Sequence, residues 1–166
     1  MTLRRPRSVL ITLLLAVSVP NWAGAEKAAA AGEELGGHWV TTGYESVVKI
    51  GACPQDSALL CGDIVWLWDA VDGDGVPTRD EENPDPDQRT QPLLGRTIII
   101  DMTQRPDAPR TASGDIYNPG DGRTYRATID LIDATTLHVE GCVMFLCQTQ
   151  VWRRPSALPR FDNTDT

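Results

Sequence analysis

Residues 124–131 read Thr-Tyr-Arg-Ala-Thr-Ile-Asp-Leu. Tyr125, Ala127, Ile129 and Leu131 fall on one face of an extended chain, and Arg126, Thr128 and Asp130 on the other. This is the period-two pattern of a strand with one buried face. Outward from it, similar short runs recur at His38–Thr42, Tyr44–Ala52, Leu59–Trp68, Arg96–Met102, Gly114–Tyr117, Thr136–Val143 and Cys147–Arg153. Asn118-Pro119-Gly120-Asp121-Gly122 is a turn signal between two of them, and Asp69–Pro92 is a long loop of Asp, Gly and Pro. About eight short strands with almost no amphipathic helix indicate an all-β sandwich or barrel. Leu59–Trp68 is apolar on both faces, and closing an antiparallel sheet on itself removes exposed edges, so a single up-and-down barrel is expected.

The N-terminus has the three-part pattern of an export signal. Arg4, Arg5 and Arg7 precede an apolar run, Val9–Val19, which is too short to span a bilayer. Pro20 ends the run, and Ala23-Gly24-Ala25 supplies the small residues of a cleavage site. The expected organisation is a cleaved signal (1–25), a flexible Ala/Gly-rich leader (26–37), a barrel domain (38–154) and a polar tail (155–166). The chain carries 15 basic and 23 acidic residues. Removing the three signal arginines leaves 12 against 23, a net −11, because no acid precedes Glu26. Such a charge excludes nucleic acid as a partner and disfavours anionic membranes, and no later segment suits stable membrane insertion. The expected location is periplasmic or extracellular.

Cys53, Cys61, Cys142 and Cys147 remain after cleavage. In an oxidising compartment an even count reads as disulfides. Of the three pairings, Cys53–Cys61 with Cys142–Cys147 is favoured because each pair flanks a short connection between strand-like runs, and each bridge is worth roughly 2 to 2.5 kcal/mol. Zinc is a poor fit, with no C-x-x-C and with His38 and His138 isolated.

Several ordered elements resemble a secreted bacterial family, domain of unknown function twenty-one forty-seven. They are Gly37-His38-Trp39; Leu60–Leu67; Asn83-Pro84-Asp85-Pro86 with Arg89; Pro92–Gly95; Gly114–Pro119; Gly122–Tyr125; and Gln148–Arg154. The resemblance implies a lipocalin-like (calycin-type) barrel in which Arg153 or Arg154 covers Trp39 next to Gly37. A guanidinium over an indole face gives a cation–π contact and plugs the barrel end. The chain departs from the family at Asp63 and Gln91, where basic residues are expected, and at Glu140, where an Arg is. Cys142 and Cys147 replace an aromatic residue and a Gly. The family's usual electropositive surface is therefore not implied here.

The first functional expectation is a small apolar or amphipathic ligand inside the barrel. Trp66, Trp68 and Tyr125 would line the site and Tyr117 would supply a polar contact. The alternative is a filled core with binding to the envelope or a macromolecule through the acidic Asp69–Arg89 loop, where Asn83, Asp85 and Arg89 form a motif. Asp72, Asp74 and Glu81 match part of a calcium loop, but Ala70 stands where its first carboxylate belongs, so no metal is assigned. No nucleophile motif or metal-spaced His pair is present, and neither an enzyme nor a cofactor is expected.

Overall fold

The structure is a computed structural model and describes residues 34–157. The expected signal peptide, most of the leader and most of the tail lie outside the described residues. Eight strands follow in chain order: β1 (Gly37–Val40), β2 (Ser46–Ala52), β3 (Leu60–Leu67), β4 (Thr97–Arg105), β5 (Ala108–Asn118), β6 (Arg123–Asp133), β7 (Thr136–Val143) and β8 (Leu146–Arg153). Each is antiparallel to its neighbours, and β1 meets β8, so the sheet is a closed up-and-down barrel. A hairpin in the stretch 103–113 was not expected. β4 and β5 run through it and turn at Pro106-Asp107, with Pro109 inside β5.

The period-two pattern of β6 is realised as read. Ala127, Ile129 and Leu131 are buried, and they join Trp39, Val48, Ile50, Leu60, Ile64, Ile99, Met102, Ala112, Leu137, Val139 and Trp152 in one contiguous core. Burying these side chains contributes roughly 1.5–3 kcal/mol for each large one, the dominant favourable term for the fold. The expected disulfides both form: Cys53–Cys61 ties the β2–β3 hairpin, and Cys142–Cys147 ties the β7–β8 hairpin.

The end of the barrel at Gly37 is shut by side chains. The Trp39 indole N–H donates to the Leu35 carbonyl at 2.8 Å, and Leu35 is itself buried. Of the two candidate arginines, Arg154 covers Trp39, 3.8 Å from the ring centroid. Its guanidinium also donates to the carbonyls of Gly36 and Glu34 at 2.6 and 2.7 Å. Gly37 has φ +97°, and a Cβ there would lie 2.5 Å from Arg154 Nη1, so glycine is required on both counts. Arg153 instead donates to the Thr136 hydroxyl. Leu35, read as part of the leader, is thus built into the closed end beside Gly37.

Replacing Arg154 with Met, which keeps the stem but removes the charge and donors, is expected to cost about 2–3 kcal/mol in urea unfolding at constant m-value.

Candidate functional site

Period-two reading places Ile64, Trp66 and Trp68 on one face, but the structure separates them. Val47 pairs with Trp66 while Val48 pairs with Ile64, so β3 carries one extra residue at Val65. A bulge of this kind reverses the alternation beyond it. Leu67 packs against the core, while Trp66 and Trp68 stand on the outer surface, 44% and 72% exposed, with rings edge to face at 6.2 Å. These two tryptophans do not line the interior. Tyr125 keeps the inward side and is half-buried near the end opposite Gly37, where its hydroxyl donates to Asp121.

Tyr117 is also not where an interior pocket needs it. Unbroken pairing of β5 with β6 sets Ile116 opposite Tyr125 and Tyr117 opposite the exposed Thr124, so alternation turns Tyr117 outward. It is nevertheless buried, because the loop between β3 and β4 folds against this flank of the barrel. The residue that docks the loop is Asp80, 0% exposed. Tyr117 donates to Asp80 Oδ1 at 2.7 Å, and Asn83 Nδ2 donates to Asp80 Oδ2 at 2.6 Å. Arg96 Nε lies 3.0 Å from the same oxygen as an ion pair, with its N–H off the hydrogen-bond line. A buried carboxylate is tolerable only when paired and hydrogen-bonded in this way.

The motif residues meet in the same network. Asn83 Oδ1 accepts the Asp85 N–H at 2.9 Å, Asp85 Oδ1 accepts the Asp87 N–H at 3.0 Å, and Arg89 Nε donates to the Asn83 carbonyl at 2.7 Å. Arg96 also donates to Gln88 Oε1 at 3.2 Å. Gly122, at φ +66°, lets the β5–β6 turn touch the loop, since a Cβ there would overlap the Glu82 carbonyl. Beside the network is a shallow, solvent-open hollow of about 500 Å³, lined by Gln88, Gln91, Pro92, Leu94, Arg96 and Thr97. A second hollow, about 240 Å³, lies on the outside of β5–β7 by Ser113, Arg126 and Cys142.

The calcium candidates do not converge as a ligand set: the Asp72 carboxylate closes its own turn by accepting the N–H groups of Asp74 and Val76, at 2.9 and 2.8 Å. His138 is half-buried mid-strand on β7. Sequence reading missed Asp80 and Arg96. Asp80 is one acid among many in its loop, and its partner Tyr117 is 37 positions away.

Burial of Tyr117, together with its bond to the Asp80 carboxylate and that group's charge, pushes its pKa up to about 12. The folded value exceeds the unfolded one, near 10, so this contribution to stability is complete below pH ~10 and is lost as pH rises towards 12. Phenolate absorbance should show Tyr117 ionising last, and Asp80→Asn should bring it down. Asp80→Ala, which strands Arg96 and Tyr117, is expected to cost about 3–5 kcal/mol in denaturant unfolding.

Residues 37–154 match the family described as an uncharacterized protein conserved in bacteria (DUF2147), and the chain belongs to that family. No curated protein matches it significantly. Among solved structures it is similar to protein HP1028 from the human pathogen Helicobacter pylori, which is described as belonging to the lipocalin family. The identity is 20% and the TM-score 0.60, over 72% of this chain and 82% of that one. That likeness is one of fold: this barrel is lipocalin-like.

Proposed function

We propose that this is an exported, non-enzymatic binding module that engages an envelope or macromolecular partner through the β3–β4 loop, with the barrel as a solid scaffold. The observation that carries the reading is Asp80, a fully buried carboxylate that fixes an otherwise exposed acidic loop to the barrel wall. A rigid loop loses little entropy on binding, which is what a recognition surface needs. Around this anchor Asp69, Asp72, Asp74, Glu81, Glu82, Asp85 and Asp87 are exposed, against exposed Arg79 and Arg89. The partner is therefore one with a cationic face.

Two further observations support this over a ligand carried inside. The inward side chains form a contiguous buried core, and both hollows described above lie on the outer surface. Export is supported by the signal-like N-terminus and by two disulfides, which persist in oxidising compartments.

The test combines two measurements on protein purified from its own envelope. Native mass spectrometry should give whole multiples of the polypeptide mass with no added small molecule. Binding to the envelope fraction should weaken at least about tenfold when Glu81, Glu82, Asp85 and Asp87 become amides, and should fall with rising salt. A small apolar molecule released on denaturation, with binding indifferent to the four changes, would return the function to the barrel interior.

A further inference from the structure

The run Gly141-Cys142-Val143-Met144-Phe145-Leu146-Cys147-Gln148-Thr149-Gln150-Val151-Trp152 contains no charged residue, in a chain of net charge −8. It forms the end of β7, the turn and all of β8 but Arg153; Glu140, just before it on β7, has its carboxylate on the Thr149 hydroxyl. Met144 and Phe145 at the tip of the turn are 89% and 82% exposed, and Val143 and Leu146 beside them are also exposed. The Cys142–Cys147 bridge holds the tip rigid, so these side chains cannot fold back into the core.

One edge of β8 is bare. β1 is four residues long and pairs with β8 only at Val40 and Arg153. One step further, the Thr42 hydroxyl takes the place of a strand, accepting the Val151 N–H and donating to the Val151 carbonyl, both at 3.1 Å. The backbone groups of Val151 thus point away from β7. The β7–β8 register is unbroken, so those of Thr149 and Cys147 point the same way. The bridge agrees: Cys142 and Cys147 have Cα atoms 4.0 Å apart, the close spacing of a pair that does not share ladder hydrogen bonds. Among the described residues nothing pairs with this edge from Phe145 to Thr149.

We infer that the occupant is a second copy of this chain, joined by antiparallel pairing of β8 with β8 about a two-fold axis. The free edge is centred on Cys147. An antiparallel copy therefore pairs Cys147 with Cys147 and Phe145 with Thr149, and sets each apolar tip against its partner's β8 wall. An isologous contact must tolerate its own image. On a chain this acidic most of the surface repels its copy, whereas β8 from Leu146 to Trp152 brings no charge of its own and exposes strand-forming residues without Pro. The acid beside it, Glu140 on β7, is held by the Thr149 hydroxyl. The same acidity disfavours docking on an anionic bilayer.

The test is sedimentation equilibrium of the exported chain with both disulfides intact. The expected mass is twice that of the monomer, falling with dilution. Thr149→Pro removes an edge donor and the hydroxyl that holds Glu140, leaves the backbone ladder to β7 in place, and should raise the dimer Kd at least about tenfold. A second variant, Phe145→Asp with Leu146→Asp, changes only exposed side chains, brings like charges together and should do the same. A wild-type monomer at about 0.3 mM, or a dimer unmoved by both variants, overturns the inference. So does a monomer that co-sediments with phosphatidylcholine vesicles, which would make the tip a lipid contact.

Discussion

The barrel closes along a seam where β1 and β8 share a single backbone pair, Val40 with Arg153. A seam that short supplies few ladder bonds, so its cohesion comes from side chains. Arg154 stacks on Trp39 and bonds two carbonyls of the segment leading into β1, while the Trp39 indole holds the Leu35 carbonyl. One guanidinium thus joins the last strand, the first strand and the residues before it. Desolvated by the indole face, that cation contributes more than it would on an open surface. The burial of the core behind it, from Trp39 to Trp152, depends on this closure.

The inward side chains form one contiguous buried core, and the polar network lies on the outer face of the barrel. The bulge at Val65 turns Trp66 and Trp68 outward, while β5 alternation turns Tyr117 outward beneath a loop that seals it. Covering Tyr117 needed a polar partner for its hydroxyl, and Asp80 fills that role. The buried carboxylate in turn required Asn83 and Arg96, and Gln88 and Arg89 extend the network. The order of a long polar loop is thereby a consequence of satisfying one tyrosine hydroxyl and one buried charge.

The barrel was legible in the sequence because strand alternation and turn residues are local signals; β6 and the Asn118–Gly122 turn lie as read. Both disulfides followed from local spacing, and the covering arginine from the family resemblance, though only the folded seam distinguishes Arg154 from Arg153. Three things were not legible. A bulge leaves no mark in a run as apolar as Leu59–Trp68, so the parity of two tryptophans was read wrongly. Pro106 and Pro109 hid the β4–β5 hairpin, since proline argues against strand wherever the edge geometry that tolerates it is unknown. Asp80 looked like its solvated neighbours, because burial is decided by partners distant in sequence.

The two outward features occupy different sides of the barrel, and their separation follows from topology. In a closed ring of eight strands, β8 and β4 are four apart in either direction, hence diametrically opposed. The docked part of the acidic loop, from Asp80 to Arg89, lies over β4 and β5, and the uncharged edge belongs to β8. Two copies joined edge to edge at β8, as inferred above, would keep the docked part of each loop on the far flank. Each loop then reaches a partner independently, and two loops on one rigid body bind a repetitive cationic surface far better than one, provided the spacing is matched. A docked acidic loop on one flank and an uncharged β8 strand opposite it would serve both proposed contacts at once.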